Sequence, residues 1–155
     1  MSVHLVPAVR DDMETVWRMQ VEAFSSLLAT YQDYDLSPAN EGLEKVMARY
    51  EQPGSVYYFI CVDDVRVGVI RVIDRKDGSR KRISPMWIMS AHRNKGYAQA
   101  AVLAAEAMYG DSNWCLETIL QEKGNLHLYE KLGYHQTGRV EHINSLMDIV
   151  YYEKD

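Results

Sequence analysis

Two stretches of this 155-residue sequence hold residue types whose spacing could do chemistry. The first runs from Met86 to Met108. It opens apolar with Met86, Trp87, Ile88 and Met89, passes through a polar turn at Arg93, Asn94, Lys95 and Gly96, and then becomes alanine-rich with helical apolar spacing. A strand, a tight loop and a helix start therefore follow one another. Backbone N–H groups at such a junction have no intrahelical partners and carry the positive end of the helix dipole, so they suit a phosphate or pyrophosphate. Asn94 and Gly96 tolerate the positive φ that turns such amides inward, and Ala98 keeps the first helical turn slim. The G-x-G-x-x-G of a dinucleotide fold and the G-x-x-x-x-G-K-[ST] of a P-loop are both missing.

The second stretch runs from Trp114 to Tyr134. It holds a carboxylate, Glu117, in strand-like sequence, and then Asn125 and Tyr129, four apart and so on one helical face. Arg93-x-x-Gly96-x-Ala98 after an apolar strand resembles the R/Q-x-x-G-x-G/A signature of the GNAT superfamily of N-acetyltransferases. Asn125-x-x-x-Tyr129-Glu130-Lys131-Leu132-Gly133-Tyr134 resembles that family's N-x-x-x-x-Y-x-K-x-G-F segment, with one residue fewer between Asn and Tyr. The resemblance covers Val56 to about Thr137, and the two motifs stand in the family's order.

The resemblance implies acetyl-CoA as co-substrate, lying in a V-shaped gap between the strand ending at Met89 and the strand beginning at Trp114. Its pantetheine amides would pair with the backbone of Trp87, Ile88 and Met89. Its pyrophosphate would sit on the loop of Arg93, Asn94, Lys95, Gly96, Tyr97 and Ala98, with Asn125 a further contact. A primary amine would attack the thioester directly, with the Met89 N–H meeting the oxyanion and Tyr129 protonating the thiolate. Glu117 is the first candidate to take the amine's proton, ahead of Asp33 and Asp35, although a structural strand-end role fits Glu117 equally. Two alternatives are a non-catalytic CoA-binding sensor or interaction module, and an acyltransferase for longer acyl groups.

The elements that must position these residues read as follows. His4 to Val9 is a first strand, and Asp11 with Glu14 resembles a capping box for a helix from Asp12 to Leu28. Thr30 to Pro38 is an acidic, aromatic connector. Its Tyr31, Asp33, Tyr34 and Asp35 form either a solvated loop or one wall of an acceptor pocket that attracts a protonated amine. Ser37 and Pro38 open a second helix, ended by Pro53-Gly54. Strands follow at Val56 to Val62, Val65 to Ile73 and Arg82 to Met89, where Pro85 predicts a bulge or a break in pairing. Then come a helix at Tyr97 to Met108, a strand at Trp114 to Leu120, a short helix to Leu132, and strand material at Tyr134 to Arg139 and His142 to Tyr152. The fold class is α/β with one mixed sheet. The GNAT-like expectation is about seven mostly antiparallel strands with a central parallel pair splayed open, flanked by four helices, in a single domain over residues 1–155.

Composition narrows the rest. The chain is 47% hydrophobic and 25% charged, the profile of a soluble globular protein. A net charge of −5 argues against a nucleic-acid surface. No apolar run approaches the roughly 20 residues that cross a bilayer, and no secretory signal is visible, so a cytoplasmic protein is expected. Arg75 to Arg82 reads as a solvated hairpin turn or a basic lip. Cys61 and Cys115 lack C-x-x-C spacing and are expected to be reduced; the five histidines show no metal-ligand spacing, so no metal is expected. His92 reads as a turn residue. The acceptor is a small-molecule or peptide amine, and the apolar segment Ile149 to Tyr152 could pair between two subunits of a homodimer.

Overall fold

The computed structural model describes residues 2–155. Its elements are β1 (Val3–Pro7), α1 (Met13–Tyr31), α2 (Leu43–Glu51), β2 (Ser55–Val62), β3 (Val65–Ile73), β4 (Lys81–Ile88), α3 (Tyr97–Tyr109), β5 (Trp114–Ile119), α4 (Lys123–Lys131), β6 (His135–Asn144) and β7 (Met147–Lys154). The seven strands form one sheet in the order β1-β2-β3-β4-β5-β7-β6. Only β4 and β5 run parallel; every other neighbouring pair is antiparallel. This is the mixed α/β architecture that the resemblance implied.

Strand alternation decides how the layers stack. Tyr57, Phe59 and Cys61 of β2 face one way, into a core with Met13, Val16 and Ala23 of α1 and Val46 of α2. Tyr58, Ile60 and Val62 face the other way, into a core with Ala101, Val102 and Ala105 of α3 and Leu126 and Tyr129 of α4. Helices thus cover both faces of the central strands, which is why β2 and β3 read as nearly unbroken apolar runs.

The feature that positions the site is where the parallel pair parts. β4 and β5 pair only at Lys81 with Trp114 and Arg82 with Cys115. Immediately after, β4 bulges against β3: Ile70 pairs with Met86 and Val72 with Ile83, so Arg71 alone faces both Ser84 and Pro85. Pro85 has no N–H to offer the ladder, the reason an irregularity was expected there. Arg71 supplies what the bulge lacks. The residue is 4% exposed, and its guanidinium donates to Ser84 O at 2.8 Å, Ser55 Oγ at 2.8 Å and Gln52 Oε1 at 2.5 Å. Burial pushes its pKa down to about 10, still high enough to keep it charged near neutral pH.

Several boundaries differ from the sequence reading. α1 runs past Leu28 to Tyr31, closed by Gln32 in the left-handed region with its N–H on Leu28 O, because nothing between Leu28 and Tyr31 breaks a helix. The residue that caps the preceding turn is Asp12, whose carboxylate accepts the Val9 N–H at 2.9 Å, in place of the expected Asp11 and Glu14 box. The C-terminal strands turn at Ser145 and Leu146, with Asn144 Oδ1 accepting the Leu146 N–H, so His142 lies inside β6. Ile149 to Tyr152 are consequently interior: β7 is paired with β5 on one side and β6 on the other, leaving this segment no free edge for a second subunit. Among the described residues no helix is long and apolar enough to cross a membrane.

Removing the guanidinium isolates the bulge. Arg71→Met is expected to cost about 2–3 kcal/mol by leaving buried acceptors unpaired, read as a lower urea midpoint. An unchanged midpoint would show that the bulge stands without it.

Candidate active site

Beyond Arg82 the two strands diverge and leave a cleft of about 370 Å³. β4 contributes Ile83 to Met86, β5 contributes Glu117 to Ile119, and α4 contributes Asn125 and Tyr129. The far wall comes from the end of α1, the α1–α2 connection and the β6–β7 hairpin.

The open edge of β4 offers backbone donors, but not all those expected. The Met89 N–H donates to Val67 O at 2.8 Å, so it is committed to the sheet. Antiparallel alternation then turns Trp87 toward β3 as well, and aims the N–H groups of Met86 and Ile88 the other way, into the gap. The Trp87 side chain is buried under α1, edge-on to Phe24 at 5.8 Å. Of the three backbone positions expected to meet a ligand, Ile88 faces the gap; Met86, the second gap-facing donor, was outside that range.

The loop beyond β4 has the expected strand-loop-helix form. Asn94 and Gly96 both lie in the left-handed region, at φ 63° and 79°, and Asn94, Lys95 and Gly96 are exposed. The first i to i−4 bond of α3 is from the Ala100 N–H to Gly96 O, so the amides of Ala98 and Gln99 precede the helical ladder. Arg93 does something else. It donates from Nε to Ile88 O at 2.9 Å and from Nη2 to Ala23 O at 3.0 Å, tying the loop to β4 and α1.

Across the gap, Tyr129 is 8% exposed and packs against Tyr134 and Tyr152, with centroids at 5.9 and 6.2 Å. Burial raises its phenol well above the usual tyrosine value, so it stays protonated. Among the described residues its hydroxyl makes no hydrogen bond, which leaves the proton available. Asn125 lies one turn earlier and donates to Thr118 Oγ1 at 3.2 Å. Glu117 stands at the fork and is held by the Arg82 guanidinium from β4.

The four acceptor-loop residues separate. Asp33 is half-buried and lines the cleft, its carboxyl pushed up by burial. Tyr31 belongs to α1 and is buried; its hydroxyl donates to Glu122 Oε2 at 2.5 Å and its carbonyl accepts from Asn144 Nδ2 at 2.9 Å. Burial, and then Glu122, push the Tyr31 phenol up to about 12. Tyr34, 61% exposed, and Asp35 point to solvent and line no part of the cleft.

Sequence reasoning missed Glu41, Arg49 and Glu141, all in the lining. Arg49 grips Glu41 through two bonds of 2.6 and 2.7 Å. Burial alone would raise the Glu41 carboxyl, but those bonds outweigh it and hold the value low. Nothing in the local sequence marks these residues, since each reaches the cleft only through tertiary packing. Cys61 and Cys115 are free thiols, and among the described residues no group of three His, Cys, Asp or Glu side chains is placed to hold a metal ion.

At Gly96 an added Cβ meets nothing within 4 Å, so the only cost is the left-handed backbone. Gly96→Ala is expected to lose about 1 kcal/mol, lowering the thermal midpoint by roughly 2–4 °C. No shift would mean the loop relaxes out of that conformation freely.

The family model described as "Acetyltransferase (GNAT) family" matches residues 14–134. None of the curated proteins compared matches the sequence. Among solved structures, the chain resembles a spermidine N-acetyltransferase from Vibrio cholerae in complex with CoA and spermine, at TM-score 0.74 and 16% identity, covering 97% of this chain and 94% of that one. It also resembles the microcin C7 self-immunity acetyltransferase MccE in complex with acetyl-CoA and AMP, at TM-score 0.70 and 16% identity over 97% and 91%. A third likeness is to RimL, a ribosomal L7/L12 α-N-protein acetyltransferase in complex with CoA, at TM-score 0.71 and 12% identity over 98% and 93%. The matched span takes in both the parted strands and the Tyr129 segment, and the chain belongs to the GNAT family of acetyltransferases.

Proposed function

We propose that the protein transfers the acetyl group of acetyl-CoA to a primary amine while both are bound. The observation that carries this reading is the parted edge of β4, whose Met86 and Ile88 N–H groups point into the gap toward β5, where Met86 and Tyr129 line the cleft. An amide-bearing arm fits such an edge as an added strand would, and the α3 amides fit a phosphate. The names of two related structures, a spermidine N-acetyltransferase and an α-N-protein acetyltransferase, are consistent with nitrogen as the acceptor.

The coenzyme supplies an activated thioester, whose C–S bond breaks as the amine's N–C bond forms. The chain's residues do the rest. The Ile88 N–H takes the role first given to Met89: a fixed donor for the negative charge that develops on the carbonyl oxygen. Tyr129, kept protonated by burial, gives its proton to the departing sulfur and regains one from the second proton that the nitrogen loses as the amide forms. Glu117 accepts the proton that the attacking ammonium must lose. Arg82 shares this carboxylate, whose two oxygens have acceptor sites enough for both partners, so the proton passes on to solvent. Asn125 holds Thr118 on the wall of the gap.

The test is free-thiol release from acetyl-CoA across an amine panel, with coenzyme binding measured alongside by calorimetry. Tyr129→Phe is expected to bind acetyl-CoA with unchanged affinity while kcat falls by about 10²–10⁴-fold. Full activity in that variant would remove Tyr129 from the acid role. Binding without thiol release for any amine would overturn the enzyme reading itself.

A further inference from the structure

The acceptor half of the cleft has a charge pattern that a generic amine site does not need. Glu141 of β6 pairs with Ile149 of β7, and Ile149 pairs with Ile119 of β5. Directly paired residues share a sheet face, and Glu117 is two residues from Ile119, so it shares that face too. The result is a row of Glu117, Ile119, Ile149 and Glu141, all lining one cleft: a carboxylate at each end and an apolar floor between.

The spacing follows from strand geometry. Two inter-strand steps make about 10 Å and two residues along β5 about 7 Å, which places the Cα atoms of the two glutamates about 12 Å apart on the diagonal. An extended chain advances about 1.2 Å per bond. A four- or five-carbon diamine therefore holds its nitrogens about 6–7 Å apart, and two hydrogen bonds of about 2.9 Å extend that to about 12 Å.

The two ends are not equivalent. Glu117 is shared with Arg82, so its end of the cleft tolerates the neutral amine that attack requires. Glu141 is held more loosely, by Arg139 at 3.9 Å and the Tyr151 hydroxyl at 3.4 Å. Asp33 faces the same space from the α1–α2 connection. The one arginine in the lining, Arg49, is already matched by Glu41.

The bonds from Tyr31 to Glu122 and from Asn144 to Tyr31 tie the end of α1 to the start of α4 and to the β6–β7 hairpin. Leu36, 58% exposed, and the exposed Glu141 both line the cleft.

Resting on the acetyltransferase reading above, we infer that the acceptor is a small aliphatic diamine, one nitrogen reacting beside Glu117 while the other stays charged between Glu141 and Asp33. Its methylenes lie on Ile119 and Ile149.

The experiment compares 1,5-diaminopentane, 1-aminopentane, 1,2-diaminoethane and 6-aminohexanoate by thiol release, with a peptide bearing a free N-terminus as a fifth acceptor and calorimetric acetyl-CoA binding as a control. Expected is a kcat/KM for diaminopentane at least tenfold above aminopentane and diaminoethane, and at least a hundredfold above aminohexanoate. Glu141→Gln, at an exposed position, should shrink the diaminopentane-to-aminopentane ratio at least fivefold. Equal rates for aminopentane, a preference for aminohexanoate or peptide, or an undiminished ratio in Glu141→Gln would each overturn the diamine inference while leaving N-acetyl transfer intact. Coenzyme binding with no thiol release for any of the five would overturn both.

Discussion

The cleft in this chain depends on the loss of backbone pairing between β4 and β5. A parallel pair inside a sheet ordinarily continues, since a buried N–H or C=O without a partner costs as much as a lost hydrogen bond. Here two residues pair and then each strand follows its other neighbour: β5 stays in register with β7 along its whole length, and β4 stays with β3. The bulge at Ser84 and Pro85 redirects β4, and the Arg71 guanidinium takes up the Ser84 carbonyl that the bulge displaces. The donors left over are those of Met86 and Ile88. They face the gap toward β5 in place of a strand.

Burial then sorts the ionisable groups around that edge. Tyr129 is pushed toward its protonated form by enclosure alone. Burial works to raise the Glu41 carboxyl, and the bonds from Arg49 outweigh it. Glu117 is anchored by Arg82 at the fork, where the strands are still close enough for a side chain of one to reach the other. The same few ångströms that open the cleft thus also fix its charges.

The basic stretch after β3 shows how tertiary packing absorbs a conspicuous sequence signal. Arg75 to Arg82 stands out as a cationic run in an acidic chain. Arg80 is bound by Glu153 and Asp155 and by the carbonyls of Trp114 and Lys154, Lys81 by the Ser112 carbonyl, and Arg82 by Glu117. Three of its cations are structural ties between β4, β5 and the end of β7, and no free basic lip remains in that half of the run.

The local sequence determined the elements and the two motifs, because strand alternation, helical spacing and turn residues are short-range properties. The Arg93-x-x-Gly96-x-Ala98 loop, the Tyr129 segment and the irregularity at Pro85 were legible for that reason. What it could not reach were matters of register and packing. Whether Met89 or Ile88 offers its N–H to the gap depends on which residue of β3 it faces. Whether Tyr31 lines a pocket or braces one depends on three further residues of helix that carry its ring to Glu122. Glu141 acquires meaning only through two strand pairings that set it across from Glu117. Those relations join residues far apart in the chain, and only the folded sheet brings them to one site.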